Sequence, residues 1–347
     1  MQVVEMQDRD RPVWDEYVRH SAHALPLHLS GWREVMQRTY GYPTHFLMAM
    51  GGGQVEGVLP LIQVRSWLVG KSLSSLPGGL CAENEEAAQA LIHYAEDLTR
   101  TQKVARLILR DSRQDWAGNL SATRHHSAWV VTMADTVDAT WNAINRKTRR
   151  EIRLAQSAGV QAKVSLDQDS LEQFYRTFSS FVHQAGTPVF SRKFLRTVTD
   201  VFPEDYSICN VYKDSTIIGS FFQLELNQTI YGMWGAALPQ YRDLNPTHMA
   251  YWEVMRAGLE SGFRRYDMGR SPLNSGPSDF KKHWGGQEQP VYQHSFSANG
   301  QPVEAGDATE RLESDPKFKT FINVWRKLPL SIAQFVGPQL RWHVPFA

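Results

Sequence analysis

The chain has 347 residues and carries 37 Lys and Arg against 36 Asp and Glu, a formal net charge of +1. A near-neutral molecule holds nucleic acid or membrane only through a local patch, so its overall field is excluded as the means. The length exceeds one ordinary core and predicts two domains of roughly 150 residues each.

No apolar run approaches the ~20 residues needed to cross a bilayer. The polar start MQVVEMQDRD does not read as a secretory leader. Cys81 and Cys209 stand far apart and outside any CxxC, which predicts free thiols in a reduced compartment. The expected location is the cytoplasm, with peripheral contact at the inner membrane through the C-terminal tail as a further expectation.

In chain order, helix-like WDEYVRH and GWREVMQRTYG lead to strand-like THFLMAM, the polar turn GGGQ and the strands GVLPLIQV and LSSLPGG. A helix from about Glu85 to Arg100 and the strand VARLILR follow. The order then repeats. LEQFYRTFSSFV and SRKFLRTVTDVF lead to YSICNVY, the turn KDST, GSFFQLEL and TIYGMWGAA, then a helix from about Pro246 to Ser261 and the strand FRRYDMG. Trp14 falls near Tyr175, Gly57 on Gly219 and Glu85 on Thr247, each shifted by about 162 residues. That period is too long for a solenoid and predicts a duplicated mixed α/β domain. The expected units are 1–135, 136–295 and a partly helical extension over 296–347.

Between the copies, DTVDATWNAINRKTRREIRLAQSAGV predicts one helix over 138–158, capped by Asp138 and closed by Gly159. Trp141, Ile144, Ile152 and Ala155 share one face, and Arg146, Arg149, Arg150 and Arg153 another. With Lys147 these arginines leave Glu151 as the sole acid among five cations. Such a stripe forgoes the mixed-sign pairing of an ordinary surface helix and points to an anionic partner, phosphate above all. Lys147, Arg149, Arg150 and Arg153 are therefore expected to hold an anion, such as the phosphates of a nucleotide.

Two further stretches carry chemistry. In YDMGRSPLNSGPSDFKKHWG, Tyr266 to Gly285, a strand ends in Gly-Arg-Ser-Pro. Pro272, Gly276 and Pro277 predict a loop, and Phe280 and Trp284 bracket Lys281, Lys282 and His283. Aromatics flanking amines predict a pocket that orients a cation or holds an anion. In WGAALPQYRDLNPTH, Trp234 to His248, either Asn245 or Thr247 stands where a helix N-cap goes, and the backbone N–H groups behind it face outward. Ser278-x-x-Lys281 matches a Ser–Lys pattern but lacks the accompanying KTG and SDN. His125-His126 is no metal motif, HExxH is absent, and no metal is expected.

Taken together, GTPVF, YRDLNPTHMAYWEVM, YDMGRS and DFKKHWG resemble the FemAB-like transferases, within them the branch associated with exosortase, PEP-CTERM and exopolysaccharide systems. NRKTRREIRLAQSAGV is similar to that family's basic linker helix, LPLIQVRSWLVGKSLSSLPGG to its first domain and WRKLPLSIAQFVGP to its tail. The resemblance implies tandem domains of the acyl-CoA N-acyltransferase (GNAT) fold and transfer of an acyl or aminoacyl group to an amine. Lys281 takes the position of the family's Phe-Lys lysine, and Arg270 and Ser271 that of its Gly-Arg-Ser. Glycine-rich Q/R-x-x-G-x-G/A loops bind coenzyme A in GNAT enzymes, whereas this chain reads QYRDLNPTH there.

The leading expectation is therefore direct acyl transfer to an amine of a cell-envelope, peptidoglycan or exopolysaccharide precursor, with no required cofactor and either aminoacyl-tRNA or acyl-CoA as donor. Lys281 is expected to stabilise charge, with Asp267 as base or orienter. Arg270, Ser271, Lys282, Trp284, Trp234, Tyr241, Arg242, Asn245 and His248 are expected to line the substrate site. A coenzyme-A-dependent N-acyltransferase and a non-catalytic binder of polysaccharide or lipid-linked precursors are the alternatives. The tail mixes Phe318, Phe321, Ile322, Trp325 and Leu328 with Lys317, Lys319, Arg326 and Lys327, as a membrane-surface helix or a docked tail helix would.

Overall fold

A computed structural model describes residues 1–66, 70–116, 120–299 and 316–343. The first copy runs β1 (Gln2–Glu5), α1 (Arg11–His20), α2 (Gly31–Tyr40), β2 (Thr44–Gly51), β3 (Gln54–Ser66), β4 (Gly70–Ser75), the short β5 (Cys81–Ala82), α3 (Glu85–Thr101), β6 (Arg106–Ser112) and β7 (Ser121–Thr132). After α4 (Val137–Ala143) and α5 (Arg146–Ser157), the second copy runs β8 (Val160–Ser165), α6 (Gln168–Ala185), α7 (Arg192–Val201), β9 (Tyr206–Lys213), β10 (Thr216–Leu226), β11 (Thr229–Ala237), α8 (Pro246–Glu260), β12 (Arg265–Pro272), α9 (Gly276–Lys282) and β13 (Gln287–Ser297). The tail forms α10 (Pro316–Trp325) and α11 (Leu330–Arg341). The duplicated order expected from the sequence is present, and each copy gains an opening strand, β1 or β8, and a closing strand, β7 or β13.

All strands join one sheet, in the order β1-β2-β3-β4-β6-β13-β7-β12-β11-β10-β9-β8. The closing strands change places. β13 pairs with β6 of the first copy (Phe296 opposite Leu107), and β7 pairs with β12 of the second (Val131 opposite Tyr266). The two then pair with each other at the centre (Val130 opposite Gln287). Residue 135 thus divides the chain and not the sheet. Only β4–β6 and β11–β12 are parallel, each joined through a crossover helix, α3 or α8, as a parallel pair requires.

One apolar core draws on both copies. It gathers Trp14, Trp32 and Phe46 with Phe174, Phe194 and Phe222, and seats α1 and α2 beside α6 and α7. α2 and α7 approach so closely that a Cβ on Gly31 would stand 2.7 Å from Val201. Two further cores lie under α3 (Leu91, Ile92 against Leu47, Leu59, Leu107) and under α8 (Met249, Met255 against Cys209, Val211, Ile218).

The single helix expected over 138–158 is two. Thr136, and not Asp138, caps α4, its side chain accepting from the Ala139 N–H. Ile144 leaves the helical conformation, and Asn145 opens α5 by accepting from the Lys147 N–H. An Asn that satisfies an orphan donor itself is worth about 0.5–2 kcal/mol at a cap, which favours a restart at this point. The expected face still packs: Ile144, Ile152 and Ala155 are buried, and Trp141 meets Trp252 edge-on, 4.7 Å between ring centroids.

The loop expected after Gly-Arg-Ser-Pro is also corrected. Pro272 ends β12, but Pro277 sits in the first turn of α9, where a missing N–H costs nothing. Ser275 caps that turn by accepting from Ser278 N–H.

Candidate functional site

β11 and β12 run side by side only from Thr229–Tyr231 to Arg265–Asp267, although β11 continues to Ala237 and β12 to Pro272. Beyond that point β12 bulges: its register against β7 shifts between Asp267 and Arg270. Gly269 occupies the bulge at φ +75°, and a Cβ there would lie 3.0 Å from the Gly232 carbonyl oxygen, so both conformation and space call for glycine. The bulge turns two carbonyls toward α9. Lys281 Nζ donates to both, at 2.9 Å to Gly269 and 3.0 Å to Arg270.

Lys281 is 7 % exposed. Burial pushes its ammonium down from 10.5 to about 8; Asp267 raises it and the Arg113 guanidinium lowers it. An ammonium carries three donors. Two are fixed on backbone carbonyls, which aims the third and holds it there without further reorganisation.

Asp267 is buried, and both its oxygens are engaged. Oδ1 accepts the Gly269 N–H at 2.8 Å, and Oδ2 takes Arg113 Nη2 at 2.7 Å. Of the two roles expected for it, this geometry is that of an orienter. It ties the bulge to the loop after β6. The end of β6 itself supplies Asp111, whose Oδ1 meets Arg270 Nη1 at 2.7 Å. Arg113 and Asp111 are not expected from the sequence; the only signal is the dense alternation RDSRQD across the end of β6. From the tail, Arg341 comes close enough for the like charge of Arg270 to add to burial in lowering it.

Phe280 and Trp284 do not wall the Lys281 ammonium as expected. Phe280, on α9, and Trp284, just beyond its end, pack against Tyr251 and His248, edge-on for His248–Phe280 (centroids 5.0 Å apart) and tilted for Tyr251–Trp284 (5.7 Å). Lys282 is exposed on the same helix, and the Ser271 hydroxyl is buried with no partner among the described residues.

A second cluster forms where α5 meets the start of α8. Asn245 occupies the N-cap position in a left-handed conformation, φ 54°, yet its side chain does not cap: Nδ2 donates to Glu151 Oε2 at 3.0 Å. His248, one turn on, is pushed down to about 4 by burial, with Lys147 lowering and Glu151 raising it. Thr148 Oγ1 donates to the His283 carbonyl, tying α5 to the end of α9. On α5 itself, Lys147, Arg150 and Arg153 are exposed; Arg153 lies over the Trp141 ring at 5.4 Å and Arg149 Nη1 donates to Asn142. The expected set therefore divides. Lys281, Asp267 and Arg270 share the bulge, Lys147, Asn245 and His248 the α5–α8 cluster, and Arg149 turns to its own connection. Trp234 belongs to neither: it packs on Phe190, Phe194 and Phe222 in the shared core. Tyr241 packs on the second-copy core, and Arg242 is exposed beside it.

Residues 143–282 match the family model Acetyltransf_6, described as an acetyltransferase (GNAT) domain. No curated protein matches the chain in sequence. Among solved structures it is similar to FemX, with TM-score 0.68 and 15% identity over 86% of this chain and 97% of that one. It is similar to L-PGS from Bacillus licheniformis (TM-score 0.54, 11% identity, 86% and 96% covered) and to a tandem GNAT protein from the clavulanic acid biosynthesis pathway (0.53, 10%, 87% and 99%). The fold is a tandem GNAT fold. The matched domain defines the class of protein as an acyltransferase.

Proposed function

We propose that the chain is a FemAB-like transferase that moves an acyl or aminoacyl group onto an amine of a cell-envelope, peptidoglycan-type or exopolysaccharide precursor, in the branch associated with exosortase and PEP-CTERM systems. The observation that carries the reading is the buried Lys281 ammonium, fixed by two carbonyls of the β12 bulge. The acceptor amine, deprotonated, attacks the activated carbonyl. The C–N bond forms as the carbonyl π pair moves to oxygen, and the resulting oxyanion is stabilised by the third Lys281 donor. Collapse expels the donor's ester oxygen or thioester sulfur, which takes up the proton that the attacking nitrogen sheds. Arg270 and Lys282 hold phosphate or carboxylate groups of the reactants, and the α5 cations hold the donor's phosphate backbone.

Direct attack, without a covalent enzyme intermediate, fits the nucleophiles at hand. Both cysteines are buried, and burial pushes the Cys81 thiol up to about 11. Ser278 Oγ donates to the Pro272 carbonyl, while Lys281 Nζ serves Gly269 and Arg270, so the Ser–Lys pattern is not assembled as a dyad.

An aminoacyl-tRNA donor suits the head of α8 better than coenzyme A does. That head lacks a glycine-rich loop, Pro246 removes one N–H, and the Asn245 amide is committed to the Glu151 carboxylate, which sets negative charge where a pyrophosphate would lie. Filter binding to charged and uncharged tRNA, beside calorimetric titration with coenzyme A, tests the choice. Salt-sensitive binding of charged tRNA and no heat with coenzyme A are expected; micromolar binding of coenzyme A with none of tRNA reverses the donor assignment.

A further inference from the structure

The tail helices have two unlike faces. Inward, Trp325 and Ala333 are 3 % and 1 % exposed, and the contacts with the body are specific. His183 Nε2 lies 3.0 Å from the Trp325 carbonyl, Gln334 Nε2 donates to Ser179 Oγ, and Trp342 Nε1 donates to the Tyr40 carbonyl. Phe321, Ile322 and Trp325, expected as part of a membrane face, are on or near this docked side; Phe318 lies outside the residues whose side chains are described.

Outward, Val324, Ile332 and Phe335 are 56 %, 45 % and 74 % exposed. Six large hydrophobic residues are at least 45 % exposed among the described residues, and three of them fall within this short span. Ile332 and Phe335, three apart on α11, share one side of the helix. Exposed Lys327 lies between Val324 and Ile332, beside Arg326, whose Nη2 donates to the Ala185 carbonyl, and residues 316–343 contain no Asp or Glu at all. Apolar side chains interleaved with cations, on helices held to the body by their other face, form a surface complementary to an anionic apolar one.

We infer that the outer face of α10 and α11 docks on an anionic lipid bilayer. Val324, Ile332 and Phe335 enter the headgroup–acyl boundary while Lys327 meets lipid phosphates. The inference stands apart from the acyl-transfer reading, since it uses no residue of the bulge or the α5–α8 cluster, and either can fail alone.

The test is flotation of the full chain with phosphatidylcholine vesicles made with and without phosphatidylglycerol, beside sedimentation velocity without lipid. The wild type is expected to float with phosphatidylglycerol and not with phosphatidylcholine alone, and added salt weakens the binding. Ile332→Glu with Phe335→Glu, both at exposed sites, is expected to lower the bound fraction roughly tenfold or more while circular dichroism is unchanged. Lys327→Glu, which touches no apolar packing, lowers it as well. Absence of wild-type binding to the anionic vesicles overturns the inference, and so does full binding by the double variant. A wild-type dimer that the double variant converts to monomer also overturns it, since the face is then a self-contact.

Discussion

Lys281 and Arg270 meet through the backbone, not through their charges: Nζ of Lys281 lies 3.0 Å from the Arg270 carbonyl oxygen, while the Arg270 guanidinium reaches away to Asp111 of the first copy. One bulge therefore positions a buried ammonium on one side and a cross-copy ion pair on the other. The exchange of β7 and β13 brings the loop after β6 to that bulge, which ties the site to both copies.

On the proposed mechanism, Lys281→Met removes one preorganised donor to the developing oxyanion. Transfer is expected to fall about 10²-fold or more in kcat with the melting transition retained. Steady-state kinetics beside circular dichroism separate this from unfolding.

The pH dependence follows from the lowered Lys281. Between about 8 and 10.5 the unfolded chain keeps a proton that the folded chain has lost, so unfolding free energy from this group rises with pH across that window. Below about 8 the full cost of a buried charge is present. Urea titrations are expected to show this rise in the wild type and not in Lys281→Met. Activity runs the other way, falling as pH rises through about 8, because the charged form is the one that stabilises the oxyanion.

Asp267 and Arg113 pull Lys281 in opposite directions. Asp267→Asn moves the alkaline limb of the activity profile to lower pH, and Arg113→Met moves it to higher pH. Each also breaks a largely buried ion pair, side chains 4 % and 18 % exposed, at a cost of about 3–5 kcal/mol. Equal shifts of the limb in both variants would contradict this wiring.

Gly269→Ala introduces a Cβ 3.0 Å from a backbone oxygen at a left-handed residue. A loss of about 1–3 kcal/mol in urea-induced unfolding is expected, together with loss of transfer, because the carbonyls that hold Lys281 shift with the bulge.

On the proposed tRNA donor, the α5 cations act at longer range. Arg150→Ala is expected to reduce the slope of log affinity for tRNA against log salt by about 1, with kcat nearly unchanged. Filter binding across a salt series reads it directly.

The duplication was legible because hydrophobic period and turn chemistry are local, and both copies keep them: GGGQ and KDST fall between paired strands in each. The strand exchange was not, since neither β7 nor β13 carries a strict apolar–polar alternation and the choice of partner is made by long-range packing. α9 was hidden because a short helix opening on Gly-Pro reads as a loop unless Ser275 is recognised as its cap. In the site, Lys281, Asp267 and Arg270 were legible as a cluster in sequence. Arg113 and Asp111 were not, because they reach it only through the fold. Phe280 and Trp284 flank Lys281 in sequence yet pack on His248 and Tyr251, since proximity in sequence does not fix which neighbours a side chain meets.

The central claim is that Lys281 serves amide-forming transfer. Its most direct measurement is mass spectrometry of an envelope-precursor extract incubated with labelled aminoacyl-tRNA and either the wild type or Lys281→Met. The account predicts an amide-linked aminoacyl adduct with the wild type and a trace of it with the variant. Equal adduct from both proteins would contradict it.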